Sequence, residues 1–191
     1  MKSLSTWKMI ARSMREGKAV MLLYVLESLG SSPGRQGFFM AVNSDGEMEG
    51  SIGGGMMEHK FVEMAKDQLS QHPEIESSSS IRKQVHDKSA AKNQSGMICS
   101  GEQTILLYRL KKEENQAITD IIASLEKNKN GTINLSPEGV EFDDTASDEI
   151  ATYYFKSEDD WRYKQRTGFS NRLFIIGGGH CSLAFSKLMR S

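Results

Sequence analysis

Apolar residues Leu4, Trp7, Ile10, Ala11 and Met14 recur at helical spacing, and Gly17 stands where a helix C-cap falls. This pattern predicts an amphipathic helix over residues 4–15. The period then vanishes. Residues 19–26, AVMLLYVL, form an unbroken apolar run, too short for a long helix and rich in strand formers, so a buried strand is expected. A loop of Gly, Ser and Pro follows, ESLGSSPGRQG. Residues 38–42 read as a second strand and residues 48–52 as its return, joined by a hairpin turn with Asp45-Gly46 at the tip. After three glycines, Met57, Phe61, Met64, Ala65 and Leu69 restore the helical interval. They predict a helix over 56–71, with Pro73 beyond its end.

The middle of the chain is less regular. Residues 77–80 are all serine and read as a connection, 81–86 as a short strand, and 87–96 as a loop almost without apolar content. Residues 103–110, QTILLYRL, are a clear strand. Ile118, Ile121, Ile122 and Leu125 make one stripe on a helix over 114–127. Residues 131–135 and 140–142 suit a hairpin through SPEG, and 151–156 suit another strand. The segment SEDDWRYKQRTGFSN is charged and reads as a linker. Residues 172–176 form a short apolar strand, followed by Gly177-Gly178-Gly179-His180 and an amphipathic stretch over 181–190.

Strands and helices mix without strict alternation, so the expected class is α/β with a mixed α+β N-terminal domain. That domain is assigned to residues 1–157 and the linker to 158–171. Residues 172–191 read as strand, Gly loop and helix, the truncated start of a Rossmann-like domain.

Composition narrows the function classes. The chain has 191 residues, 38% hydrophobic and 26% charged, as a soluble globular protein has. Its net charge of −1 gives no basic footprint for nucleic acid and no polybasic patch for a membrane. No apolar run approaches the roughly 20 residues that span a bilayer. The N-terminus lacks the apolar core of a secretory signal. Cys99 and Cys181 lie far apart without metal spacing, which suits free thiols in a reducing cytoplasm. The histidines show neither HxH nor HExxH spacing, which argues against zinc.

Three segments carry candidate chemistry. In Gly30-Ser31-Ser32-Pro33-Gly34-Arg35, small residues let backbone N–H groups face a ligand, and Arg35 suits a phosphate; an ordinary flexible loop is the alternative. In Gly53-Gly54-Gly55, a strand-to-helix junction allows close approach by an anion, or simply makes a tight turn. Glu58, in the first helical turn, either complements the helix dipole or contacts a ligand. In the third, residues 95–102, Cys99 sits among Gly and Ser before a strand. It is a candidate nucleophile, sulfur carrier or soft-metal ligand, or a small buried residue. Gly177-x-Gly179-x-x-Ser182 is a partial dinucleotide fingerprint, with His180 at the helix start.

Taken in order, these segments resemble the XdhC/CoxI family. The first loop is similar to that family's G-S-S-P-R-x-x-G. Gly50 or Ser51 through Glu58 resembles G-S-I-G-G-G-C-x-E, with Met56 where the family has cysteine. Cys99-Ser100-Gly101-Glu102 resembles C-G-G-E, and Gly177–His180 resembles the G-x-G-H that opens a Rossmann-like domain. The resemblance implies an accessory protein that binds the molybdenum cofactor (molybdopterin) and supports its sulfuration and insertion into a xanthine-dehydrogenase-like molybdenum enzyme. A cysteine desulfurase is then an implied partner. The chain is read as a maturation factor and chaperone rather than a catalyst, and as a homodimer whose C-terminal stub is covered by a second copy. The implied cofactor-binding residues are Arg35, Gly53, Gly54, Gly55, Glu58, Cys99, Gly177, Gly179 and His180, with Cys99 as the metal ligand. A nucleotide at the incomplete Rossmann-like domain is a further expectation. The competing reading is a nucleotide- or NAD-binding oxidoreductase related to xanthine dehydrogenase.

Overall fold

The computed structural model describes residues 2–71, 78–85, 101–168 and 175–189. Four helices and two antiparallel sheets make up the described part. The chain runs α1 (Lys2–Arg15), β1 (Val20–Gly30), β2 (Phe39–Asn43), β3 (Met48–Gly50), α2 (Gly55–Gln71), β4 (Ser79–Val85) and β5 (Gly101–Arg109). A single 3-10 turn (Lys112–Glu114) leads into α3 (Asn115–Glu126), β6 (Gly131–Ser136), β7 (Gly139–Asp143), β8 (Ala151–Ser157), β9 (Asp160–Thr167) and α4 (His180–Leu188). The first sheet has the order β3-β2-β1-β5-β4 and the second β7-β6-β9-β8. This is the mixed α+β arrangement expected from the pattern.

The first sheet explains the unbroken apolar runs. Met21, Leu23, Val25, Ile105 and Leu107 pack with Met57, Phe61, Val62, Ala65 and Leu69 of α2. On the other face, Leu22, Tyr24, Leu26, Leu106 and Tyr108 pack with Trp7 and Ile10 of α1, Ile118 and Ile121 of α3, and Ile133, Leu135, Trp161 and Tyr163 of the second sheet. Both faces are covered, so β1 and β5 need apolar residues at successive positions rather than alternate ones. Antiparallel sheets with one wet face alternate instead. A bulge between Val25 and Glu27 shifts the β1–β5 register by one residue.

Two buried networks tie the layers. Tyr24 and Tyr163 both donate to the side-chain oxygen of Gln165, at 2.7 and 2.9 Å. Glu114 accepts from the Tyr108 hydroxyl at 2.5 Å and from the N–H groups of Val140 at 2.8 Å and Lys111 at 2.7 Å. That carboxylate joins β5, the 3-10 turn and β7. A methyl group on Gly139, at φ +144°, would run into it.

Several boundaries differ from expectation. The segment read as a linker over 158–171 contains β9. Its charges fall on alternate residues, Arg162, Lys164 and Arg166, while Trp161 and Tyr163 between them are buried. The strand period of two was hidden by the charge. Ser79 and Ser80 begin β4 rather than belonging to a connection, because β5 supplies them a partner strand. Of the strand expected at 172–176, residues 172–174 lie outside the described residues, and Ile175 and Ile176 form no strand. The loop expected at 87–96 also lies outside them.

Burial raises the Glu114 pKa above the ordinary carboxylate value, against the lowering effect of its hydrogen bonds from Tyr108, Lys111 and Val140. A carboxyl group with a raised folded-state pKa binds its proton more tightly in the fold than in the unfolded chain. Its stabilising contribution is therefore full below the unfolded pKa and declines as pH rises through the folded one. Urea titrations across the acidic range should show this decline in the wild-type chain and a flatter profile in Glu114→Gln. Identical profiles would refute the assignment.

Candidate functional site

The glycine loops are shaped by one another. Gly53, at φ +130°, passes so close to Gly34 that a Cβ there would sit 2.6 Å from the Gly34 nitrogen. A Cβ on Gly34 would overlap the carbonyl oxygen of Ile52 and approach the Gln103 amide nitrogen to 2.5 Å. Gly34 and Gly53 are thus glycines because two backbones meet. Gln103, buried on β5, donates from its side-chain nitrogen to the carbonyls of Gly34 at 2.9 Å and Ile52 at 3.2 Å. Sequence reading missed Gln103, whose partners are distant in the chain. Its only signal is a polar residue at the mouth of an apolar strand.

Glu58 is turned back onto its own loop. One carboxylate oxygen accepts from the Ser51 hydroxyl at 2.6 Å, the Ile52 N–H at 2.9 Å and the Gly54 N–H at 3.0 Å. The Gly53 N–H donates to the Ser51 hydroxyl at 3.1 Å. Most loop N–H groups expected to face an anion are therefore already paired. The arrangement is a helix cap extended backwards, with the acid at the positive end of α2. Gly55 opens that helix and Met56 beside it is 73% exposed.

The first loop reaches two neighbours besides Ile52. Gly30 pairs with Gly101 at the start of β5, where a Cβ would lie 2.7 Å from the Ser31 backbone. Gly37, at φ +87°, lies against the Gln165 side chain of β9. The described end of the cysteine-bearing segment, Gly101-Glu102, thus arrives beside the first loop. Cys99 itself lies outside the described residues. Arg35 is exposed, and its carbonyl accepts from the Phe38 N–H at 2.9 Å.

Gly177, Gly179 and His180 are exposed at the start of α4. Gly179 is the N-cap, with an extended backbone. That helix buries none of its side chains, so packing does not join these three residues to the loop cluster. Cys181 is exposed on the same helix. Among the described residues, no three His, Cys, Asp or Glu side chains gather as a metal site. None of the described helices is long and apolar enough to cross a membrane.

Comparison with known proteins points the same way as the motifs. Residues 13–77 match the XdhC and CoxI family, a stretch that contains both glycine loops. The fold is similar to the crystal structure of a xanthine dehydrogenase from Bacillus halodurans, with a TM-score of 0.57 at 16% identity. The alignment covers 88% of this chain and 53% of that one, so the chain spans about half its length. No curated protein matches the chain.

The loop geometry makes Gly34 intolerant of substitution. Gly34→Ala should lower the unfolding free energy by about 1–3 kcal/mol, as overpacking against backbone does. Glu58→Ala should cost about 1–2 kcal/mol through its lost charge-assisted bonds and cap. Urea denaturation followed by circular dichroism checks both. Wild-type midpoints would contradict this packing.

Proposed function

We propose, from the match of residues 13–77 to the XdhC and CoxI family, that this chain acts in the maturation of a xanthine-dehydrogenase-like molybdenum enzyme. In this reading it binds the molybdenum cofactor, supports its sulfuration together with a cysteine desulfurase, and delivers it to the enzyme. The single observation that carries the reading is that the family-matched stretch contains both glycine loops, whose backbones meet at one end of the first sheet.

The residues present fit such a group in part. Exposed Arg35 suits the pterin phosphate, and the opening turn of α2 adds a positive end. The paired N–H groups of Ile52, Gly53 and Gly54 are a poorer fit, because Glu58 and Ser51 occupy them. Gly53, Gly54 and Glu58 then shape the loop, while Arg35 and Gly55 face outward. Cys99 is assigned the soft contact to molybdenum or sulfur, a role that exposed Met56 cannot take as a thiolate. When bound, the cofactor supplies the molybdenum centre that the client enzyme uses; this chain's residues hold and shield it.

The turn Gly177–His180 and the N-cap at Gly179 favour a second reading, nucleotide binding at the start of a Rossmann-like domain. Native mass spectrometry of chain co-expressed with molybdopterin synthesis separates the two. A retained pterin-mass adduct, lost in Cys99→Ser and unchanged in Cys181→Ser, is expected. Absence of that adduct, with an adduct formed on adding NAD, would replace the first reading by the second.

The homodimer belongs to the same proposal. Ile176 is 96% exposed, and Leu183, Phe185 and Leu188 of α4 are exposed too. Such side chains favour a covering partner, here a second copy. Light scattering at micromolar concentration should return twice the chain mass. A stable monomer removes this part of the reading.

A further inference from the structure

The second sheet ends at β8, and among the described residues no strand lies beyond it. The carbonyl of Ile150 accepts from the Arg166 N–H at 2.9 Å, so Ile150 turns its backbone polar groups toward β9. Backbone groups alternate sides along an antiparallel strand. Those of Thr152 and Tyr154 therefore also face β9, opposite Lys164 and Arg162. Ala151 and Tyr153 point theirs outward, to the free edge. Native chains blunt such an edge with charge, proline or a bulge. From Ile150 to Phe155 this one, IATYYF, has no charge and no proline, and its register shift falls only between Phe155 and Ser157. Its large side chains are open: Ile150 is 65% exposed, Tyr154 53% and Phe155 46%.

We infer that a second copy of this chain pairs with that edge, β8 against β8, with the two-fold axis through Thr152. This rests on the homodimer proposed above and gives it a contact that α4 does not supply. A two-fold axis normal to the sheet makes the pair antiparallel and sets residues of one parity opposite each other. With the axis at Thr152, the outward amide of Ala151 meets that of the partner's Tyr153. Thr152 then faces its own mate, and Ile150 faces the partner's Tyr154. Continued two residues, the same register sets Asp148 opposite the partner's Lys156. Thr–Thr, β-branched–aromatic and opposite-charge pairs are the cross-strand pairs that stabilise a sheet. The last two kinds occur twice, by symmetry. Neighbouring registers lose the match. An axis at Tyr153 sets Ile150 against Lys156, one at Tyr154 sets Thr152 against Lys156, and one at Ala151 sets Tyr154 against Asp148. On the inner face, Tyr153 lies opposite the small Ala151, which leaves its ring room. The two four-stranded sheets become one continuous sheet.

Cysteine cross-linking reads this register directly. In a Cys99→Ser, Cys181→Ser background, Thr152→Cys stands opposite itself at a non-hydrogen-bonded site, with Cα atoms about 4.5 Å apart, within disulfide reach. Mild oxidation should convert that chain to a covalent dimer. Tyr154→Cys in the same background should stay monomeric on a non-reducing gel. Ala151→Pro removes two ladder hydrogen bonds at once, by symmetry, from the side of β8 that β9 does not use. It should raise the dimer dissociation constant about tenfold in sedimentation, with the circular dichroism of the wild type. Lys156→Glu should raise it about threefold, and Asp148→Lys added to it should restore the wild-type value, a rescue that a misfolded edge does not give. Failure of Thr152→Cys to cross-link, or cross-linking no faster than Tyr154→Cys, overturns the inference. So does a folded Ala151→Pro chain with the wild-type dissociation constant. If the wild type is still a dimer in those cases, the second copy is held elsewhere and the homodimer reading stands. A monomeric wild type removes both.

Discussion

A single side-chain amide, that of Gln103, donates to carbonyls in two loops that are 69 and 51 residues away along the chain. The interaction is short-ranged and buried, so its loss leaves acceptors without water to replace the donor. It works only because Gly34 and Gly53 bring two backbones within contact of each other. The loop conformation, the start of α2 and the approach of Gly101 to Ser31 all follow from this junction. Glu58 then closes the second loop from the helix side, using charge where Gln103 uses a neutral amide.

Behind the junction stands a sheet with no wet face over its central strands. Helix α2 covers one side, and α1, α3 and the second sheet cover the other. A loop mounted on such a sheet has rigid support, since every residue of β1 from Val20 to Leu26 is packed. The second sheet contributes directly as well, because Gly37 rests on Gln165, which also receives both buried tyrosines.

The apolar code of this scaffold was legible. AVMLLYVL and QTILLYRL are buried strands, and the stripes of Met57, Phe61 and Leu69 and of Ile118 and Ile121 are core helix faces. Legibility failed where charge and strand period coincide. In β9 the cations dominate the composition, while Trp161 and Tyr163 do the packing. It also failed for contacts set by tertiary structure. Nothing near residue 103 announces Gly34 or Ile52, and nothing near Glu58 says that its carboxylate turns back to Ser51 rather than outward. The first two motif segments, both within the family-matched stretch, were legible as motifs; that they interlock through glycine backbones was not.

The bulge in β1 decides which side chain stands opposite Gln103. Side chains alternate along a strand, so an extra residue reverses the facing of all that follow. Val25 pairs with Ile105, and an unbroken register would set Glu27 opposite Gln103. With the bulge, Glu27 falls opposite Thr104 on the other face, and Ser28 takes its place. One inserted residue thereby exchanges a carboxylate for a hydroxyl beside the loop junction. It keeps a fixed negative charge away from the floor of the cluster, and so makes backbone parity a determinant of local electrostatics.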